Sequence, residues 1–401
     1  MSVPRLRFPE FKDAGEWDNE TLEQLVTLVT AHKKLQTSSY KLTGKFPVID
    51  QSQSYICGWT DDIDAVILIN SPLVIFGDHT CALKLVKFPF VQGADGIKII
   101  QTKASIDPIF LFQSLSNNPL QMEEYKRHYS ILKERKIFFP KDTLEQQKIA
   151  NCLSSLDDLI ADHNQKLAAL KTHKKGLMHQ LFPAEGETIP KLRFPESRGK
   201  GEWKTVTIGD IADLSSGGTP SRTNSQYWNG SIPWVTTSLI NFCIIEKANE
   251  FISELGLKES SAKIFPKGTI LMAMYGQGIT RGKVAILAIN AATNQACAAI
   301  LLKASINTDF LFQNLAYRYD EIRNLSNSGG QENLSAGLIE GIRISHPPLN
   351  DEGTQEQQRV ADCLSSLDDL IIAQDQKINI LKLHKKGLMQ QLFPSADEVQ
   401  K

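Results

Sequence analysis

No stretch of this 401-residue chain approaches the roughly 18 consecutive apolar residues that a membrane span needs. The opening, MSVPRLRFPEF, carries charge without an apolar run behind it, so a secretory signal is excluded too. The six cysteines (Cys57, Cys81, Cys152, Cys243, Cys297, Cys363) form no CxxC pair, which argues against a zinc or disulfide framework. No metal site is expected. An excess of positive charge is missing as well: 44 Lys and Arg against 45 Asp and Glu leave a formal net charge of −1. A chain that held nucleic acid by itself, through many phosphate contacts, would be basic. If this one binds nucleic acid, other subunits must supply much of the electrostatic affinity. These absences describe a soluble, cytoplasmic protein, and its 41% hydrophobic and 22% charged residues are ordinary for globular domains.

Catalytic signatures are also lacking. Gly282-Lys283 is followed by Val284 and has Gln277 where the first glycine of a phosphate loop belongs. There is no HExxH, no GxSxG and no kinase set. Neither Asn-Pro-Pro nor Asp-Pro-Pro followed by an aromatic residue occurs; the single Pro-Pro, Pro347-Pro348, follows Ser345-His346. No Pro-Asp pair marks a metal-dependent nuclease. His173 and His384 have no carboxylate close by in sequence. No catalytic residue is therefore assigned.

What the chain does have is a repeat. Glu145 to Pro183 recurs 211 residues later as Glu356 to Pro394, identical at 27 of 39 positions without a gap. The opening PRLRFPEFKDAGEW (Pro4 to Trp17) returns as PKLRFPESRGKGEW (Pro190 to Trp203), and KASIDPIFLFQSL (Lys103 to Leu115) as KASINTDFLFQNL (Lys303 to Leu315). A period this long is a whole domain plus a helix and far exceeds a solenoid unit. Between the first two landmarks the halves share no register, so a common frame is expected to hold two different inserts. The chain divides into 1–144, a globular domain; 145–183, a helix; 184–346, a second globular domain; and 347–401, a second helix with a tail.

Both repeated segments carry a heptad seam. Ile149, Leu153, Leu156, Ile160, His163, Leu167, Leu170, Lys174, Leu177 and Leu181 alternate spacings of four and three, and Val360, Leu364, Leu367, Ile371, Gln374, Ile378, Leu381, Lys385, Leu388 and Leu392 repeat them. That pattern predicts a coiled coil, in preference to two helices packed separately on their own domains. Phe182-Pro183 and Phe393-Pro394 end the helices. His163 and Gln374 interrupt the seams at mid-helix, where an antiparallel partner would set them opposite one another, and they read as register-fixing polar residues. Lys174 and Lys385 are expected to snorkel, with the following KKG marking a frayed end. Residues 145 to 182 would span about 57 Å as a helix, longer than one turn of DNA, so the rod could act as a ruler between two domains.

The regions between landmarks read as α/β or α+β globules. Strands are expected at Phe46 to Ile49, Ala65 to Ile69, Leu73 to Phe76, Ala82 to Val86 and Ile97 to Ile100, with a helix opening at Pro108 to Leu115. In the second globule they are expected at Trp234 to Thr236, Thr269 to Met274, Lys283 to Leu287 and Ala296 to Leu301. Two glycine-bearing turns, Gly77-Asp78-His79-Thr80 and Tyr275 to Gly282, combine polar side chains with a permissive backbone, which suits base or phosphate contact. The plainer possibility is a hairpin whose Asp, His and Thr satisfy the turn itself. Gly217 to Trp228 mixes glycines, Arg222, amides and aromatics, as nucleic-acid-binding loops do. Gly329 to Leu334 could place backbone amides near a phosphate or simply start a helix.

Two divergent globules, each followed by a near-identical helix with an EQQ(K/R)xAxCLSSLDDLI entry and an LKxHKKGLMxQLFP exit, resemble the specificity subunits of Type I restriction-modification systems. The resemblance covers essentially the whole chain. It rests also on Trp203 to Asp210 (W-x6-D), G-G-T-P at Gly217 to Pro220, I-P-W-V at Ile232 to Val235, the Gly-Gly-Gln loop, and P-P-L ahead of E-Q-Q at Pro347 to Gln358. In the first half, Pro47-Val48-Ile49 and Ile75 to Thr80 are similar to another target-recognition variety; Gly-Thr-Pro and Trp-Val are absent there, so its contact loop does not map from the second half.

The resemblance implies two target recognition domains, each reading half of a split double-stranded DNA site, joined by two helices packed as an antiparallel coiled coil with pseudo-two-fold symmetry. It implies docking of two methyltransferase subunits, which bring S-adenosylmethionine, and of restriction subunits with ATP, Mg and the nuclease; the chain itself needs no cofactor. Loop placement nominates Asp78, His79 and Thr80 in the first domain and Arg222, Tyr275, Gln277, Thr280 and Arg281 in the second as DNA contacts. Readings from other classes are a coiled-coil scaffold with protein-binding globules, and a solitary methyltransferase or nuclease with unfamiliar motifs.

Overall fold

A computed structural model describes residues 3–94, 96–122, 127–275, 279–303, 306–325 and 333–394. No helix among them is long and apolar enough to cross a membrane. Two long helices dominate, Thr143–Leu181 (α1) and Asp351–Leu392 (α2). Asp142 and Asn350 cap their first turns, each side-chain oxygen accepting a backbone N–H at 2.8 and 2.9 Å. Both helices end just before the expected Phe-Pro stops.

Packing divides the chain into two compact units, Met1–Gln165 with Asp375–Lys401, and Lys166–Gln374. These differ from divisions drawn along the sequence because each unit takes half of each long helix. In the first unit the start of α1 lies against the end of α2: Ile149, Ala150 and Leu153 share a core with Met389, Leu392 and Phe393, and Lys385 Nζ stands 2.6 Å from Asp157 Oδ1. In the second, Met178, Leu181 and Phe182 share a core with Val360, Ala361 and Leu364, and Lys174 Nζ stands 2.6 Å from Asp368 Oδ1. The pairing is antiparallel in both. All twenty seam positions are buried or half-buried, as the heptad pattern requires.

Two details of the helices differ from expectation. Lys174 and Lys385 do not reach for solvent; each is locked on a carboxylate across the seam, and the helix continues unbroken through KKG. On their seams His163 is half-buried and Gln374 is buried. Within each unit the helix pairing is held by apolar contacts and one Lys-Asp pair.

The repeated sequence motifs form the frame. Arg7 Nε and Nη2 donate to the two oxygens of Glu145 at 2.7 and 2.8 Å, and Nη1 to Gly15 O at 2.6 Å. Arg193 makes the same bidentate pair with Glu356 at 2.7 Å and reaches Gly201 O at 2.7 Å. Trp17, Phe110 and Phe393 cluster with ring centroids 5.4 to 6.2 Å apart, and Trp203, Phe310 and Phe182 with centroids 5.6 to 6.5 Å apart. Gln146 and Gln357 each accept the N–H of a helix-capping residue, Asp107 or Asn307, at 2.8 Å. Gln113 and Gln313 each donate to the aspartate of the Lys-Asp pair. EQQ, SLDD, LRFP and the KAS segment are thus the two halves of one set of fasteners.

The inserts, which share no sequence register, share a topology. In the first unit an antiparallel sheet has the order Val26–Val29, Ile97–Thr102, Leu73–Gly77, Leu83–Val86, and a second sheet the order Gly58–Thr60, Phe46–Ile49, Phe90–Gln92, Val66–Ile67 with its central pair parallel. In the second unit the order is Ala212–Ser216, Cys297–Leu302, Ile270–Ala273, Val284–Leu287, extended by Cys243–Ile245, beside Glu250–Ile252, Trp228–Val235, Ala291–Thr293, Ile264–Phe265, again with a parallel central pair. The expectation of two different inserts is corrected: they are one fold with two sequences. A buried strand asks for apolar residues in phase, which many sequences supply. A two-stranded ribbon closes each half, Asp18–Thr21 with Lys136–Phe139 and Lys204–Thr207 with Arg343–His346.

Candidate nucleic-acid interface

In each sheet the strand ends decide which loops become neighbours. In the second unit Ser216 pairs with Ala298 and Ala273 with Cys297, so the loop after Ser216, which carries Arg222, and the turn after Ala273, which carries Tyr275, Thr280 and Arg281, leave the same end of one sheet. The first unit repeats this: Val29 pairs with Ile99 and Gly77 with Ile97, so the loop after Val29 and the turn Asp78 to Ala82 share an end.

Arg222 sits in a built environment. Its guanidinium lies 3.7 Å from the Trp228 ring centroid and 5.0 Å from that of Trp234, and it is ion-paired with Glu250. The two indoles are themselves held, Trp228 Nε1 donating to Ser221 O and Trp234 Nε1 to Gly218 O, both at 3.0 Å. The glycines are demanded by closeness: a Cβ on Gly217 would lie 1.9 Å from Thr293 O, and one on Gly218 2.2 Å from Ser261 Oγ. Stacking and the carboxylate fix the plane of an exposed guanidinium, which suits an edge-on contact with phosphate or base.

Along the second turn Tyr275 is exposed, whereas Arg281 is buried. Burial removes Arg281 from the surface on which it was expected. Thr280 O accepts from Lys283 N, and Tyr319 Oη donates to Ile279 O at 2.5 Å, pinning the turn from outside. Gln277 lies outside the described residues, as do Gly329 to Glu332.

The first-unit turn takes the plainer of its two readings. Asp78 is 4% exposed. Its Oδ1 accepts from Tyr129 N at 2.8 Å, and its carbonyl accepts from His128 N, also at 2.8 Å. Thr80 Oγ1 donates to Gln51 O and accepts from Ala82 N. His79 is half-buried and its N–H points to Gln51 Oε1 at 3.4 Å. Asp78 and Thr80 therefore serve the fold. Asp78 holds the segment of His128 and Tyr129, and Thr80 holds the neighbouring loop Asp50 to Cys57, which sequence reading passed over. A signal for it existed: Lys84 falls in phase with Val86 on an otherwise apolar strand, and it is buried with Nζ donating to Asp50 O at 2.8 Å and Ser54 O at 2.6 Å. Desolvation lowers the Lys84 pKa. Desolvation also raises that of the Cys57 thiol beside it, while hydrogen bonds from Cys57 and Ser52 outweigh burial to keep Asp50 below its ordinary value.

The family model described as "Type I restriction modification DNA specificity domain" matches residues 14–172 and again residues 200–383. Similar proteins include the Type I restriction enzyme EcoR124I/EcoR124II specificity subunit of Escherichia coli, 24% identical over 352 residues covering 84% of this chain and 82% of that one. The Type I restriction enzyme MjaIX specificity subunit of Methanocaldococcus jannaschii is 31% identical over 186 residues, 45% of this chain and 41% of its own. Among solved structures, the Type-I restriction-modification system S subunit from M. genitalium has the same fold, with a TM-score of 0.68 at 18% identity over 98% of this chain and 99% of that one. A chain from a study of type I R-M complex assembly aligns with a TM-score of 0.54 at 14% identity over 94% of this chain and 98% of that one. With its fold, its two domain matches and its relatives in agreement, the chain belongs to the Type I restriction modification DNA specificity family and carries the family's domain twice.

Proposed function

We propose that this protein is the non-catalytic DNA-recognition subunit of a Type I restriction-modification complex, with each globular domain reading one word of a split DNA site. The observation that carries this is the double family match, laid on two sheet domains of one topology that each offer loops at a sheet end. Two similar domains with unlike loops suit two unlike words separated by a fixed gap. At 39 residues α1 is about 58 Å long, enough to govern such a gap.

In this reading the chemistry belongs to partners. Methyltransferase subunits bring S-adenosylmethionine and restriction subunits bring ATP, Mg and the nuclease, so this chain binds no cofactor and works in the cytoplasm. Near-neutral charge fits shared phosphate binding. The test is to map N6-methyladenine across the genome of the source strain with and without this gene. Loss of methylation at a single gapped motif is expected. Identical methylation in the two strains, with the methyltransferase subunit present in both, would overturn the proposal.

A further inference from the structure

The loop Asp50 to Cys57 is fastened more completely than a surface hairpin requires. Lys84 Nζ donates to two of its carbonyls, Asp50 O and Ser54 O, and Thr80 Oγ1 to a third, Gln51 O. Tyr55 Oη donates to Leu85 O at 2.6 Å, with its ring packed edge-on against Phe88. Inside the loop, Ser52 N and Cys57 Sγ both donate to Asp50 Oδ1, at 2.8 and 2.7 Å. The backbone and the aromatic ring are committed to the fold. Two exposed polar side chains remain, Gln53 and Ser54, and among the described residues neither has a hydrogen-bond partner.

Burying an ammonium is costly unless several acceptors meet it, and ordinary loops do without one. Here it holds the tip in a single shape. In the second unit, unrelated in sequence at this place, a half-buried lysine also reaches the corresponding loop, though through a side chain: Lys283, just ahead of Val284–Leu287, donates through Nζ to Asn241 Oδ1 at 2.7 Å. Both lysines follow the turn at the sheet end. Both reach the loop that follows the parallel-paired strand, Phe46–Ile49 in one unit and Trp228–Val235 in the other.

We propose that the Gln53-Ser54 tip is the part of the first unit that meets base edges, and that Lys84 is the residue that positions it. The inference rests on the DNA-recognition reading above. A glutamine amide offers a donor and an acceptor side by side, the pattern that pairs with N6 and N7 of adenine in the major groove, and serine adapts to either role. Holding the tip rigid beforehand spares the cost of ordering it on binding and makes a mismatched base expensive.

The test uses the full chain assembled with its methyltransferase subunits and mapped for N6-methyladenine. Q53A/S54A, which keeps every backbone fastening, is expected to relax one word of the gapped motif by about tenfold at one or two positions, leaving the other word and the gap unchanged. Gln53→Glu is expected to move preference at such a position toward cytosine, whose N4 is a donor. K84M, which keeps length but cannot donate, should relax the same word with no loss at the other; a merely structural lysine would depress methylation through both words together. Both words unchanged in Q53A/S54A would overturn the inference, whatever becomes of K84M. Absence of a gapped motif with the unaltered chain would overturn the recognition reading instead.

Discussion

The ammonium of Lys385 stands 2.6 Å from Oδ1 and 2.7 Å from Oδ2 of Asp157, fastening the end of one long helix to the start of the other. Lys174 and Asp368 repeat the contact in the second unit. Asp157 is partly exposed, which limits the worth of the pair. D157A is expected to cost about 1 kcal/mol in urea unfolding, and the D157A/K385A double variant less than the sum of the singles by about 0.5 kcal/mol or more. Additive effects would show that the register rests on apolar layers alone.

The Arg7–Glu145 pair is another case, since both side chains are buried. Removing one partner strands a charge. Glu145→Gln is expected to destabilise by about 3–5 kcal/mol, and Glu356→Gln by a similar amount through Arg193. Amide hydrogen exchange reads the outcome: E145Q should lose protection in the first unit before the second, and E356Q the reverse.

Gly176 and Gly387 stand inside the helices with nothing within 4 Å of a built Cβ. Alanine there should stabilise by roughly 0.8–1 kcal/mol, because glycine is the poorer helix former. Gly217→Ala should instead unfold the Arg222 loop, as its Cβ would overlap Thr293 O. Thermal midpoints moving up for the first two and down for the third would bear this out.

His346 is buried in the closing ribbon, and desolvation lowers its pKa from the ordinary 6.5. The unfolded chain therefore binds its proton more readily than the folded one. Stability is full above about pH 6.5 and falls as pH drops through the window between that value and the lower folded one. Its counterpart in the register of the first ribbon is Phe139, which cannot titrate. H346F should flatten this acid limb, measured as urea midpoints above and below pH 6.5; an unchanged limb would assign it to other groups.

Asp78 was nominated for DNA contact and serves the turn. Asp78→Ala should lower stability by about 1–3 kcal/mol through the orphaned N–H of Tyr129. In binding assays of the folded fraction, the preferred sequence should be unchanged.

Sequence by itself determined whatever depends on local period or on direct repetition. The heptad seam from Ile149 to Leu181 and from Val360 to Leu392, the helix stops, the two-half plan and most central strands were legible, because each is a pattern within a few neighbouring residues. The family motifs were legible as well, and packing now explains them: EQQ, LRFP and SLDD are fasteners between segments far apart in the chain. Tertiary structure alone decided which residues face outward. Asp78, Thr80 and Arg281 look like contacts in a string of polar letters, and Lys84 looks like a flaw in a strand. The Tyr129 N–H that Asp78 accepts, the Gln51 carbonyl that Thr80 reaches and the carbonyls that Lys84 holds all lie 29 or more residues away in sequence, so composition could not place them. The shared topology of the two inserts was hidden for the same reason: strand order is set by which apolar faces can be buried together, and that choice leaves no common spelling behind.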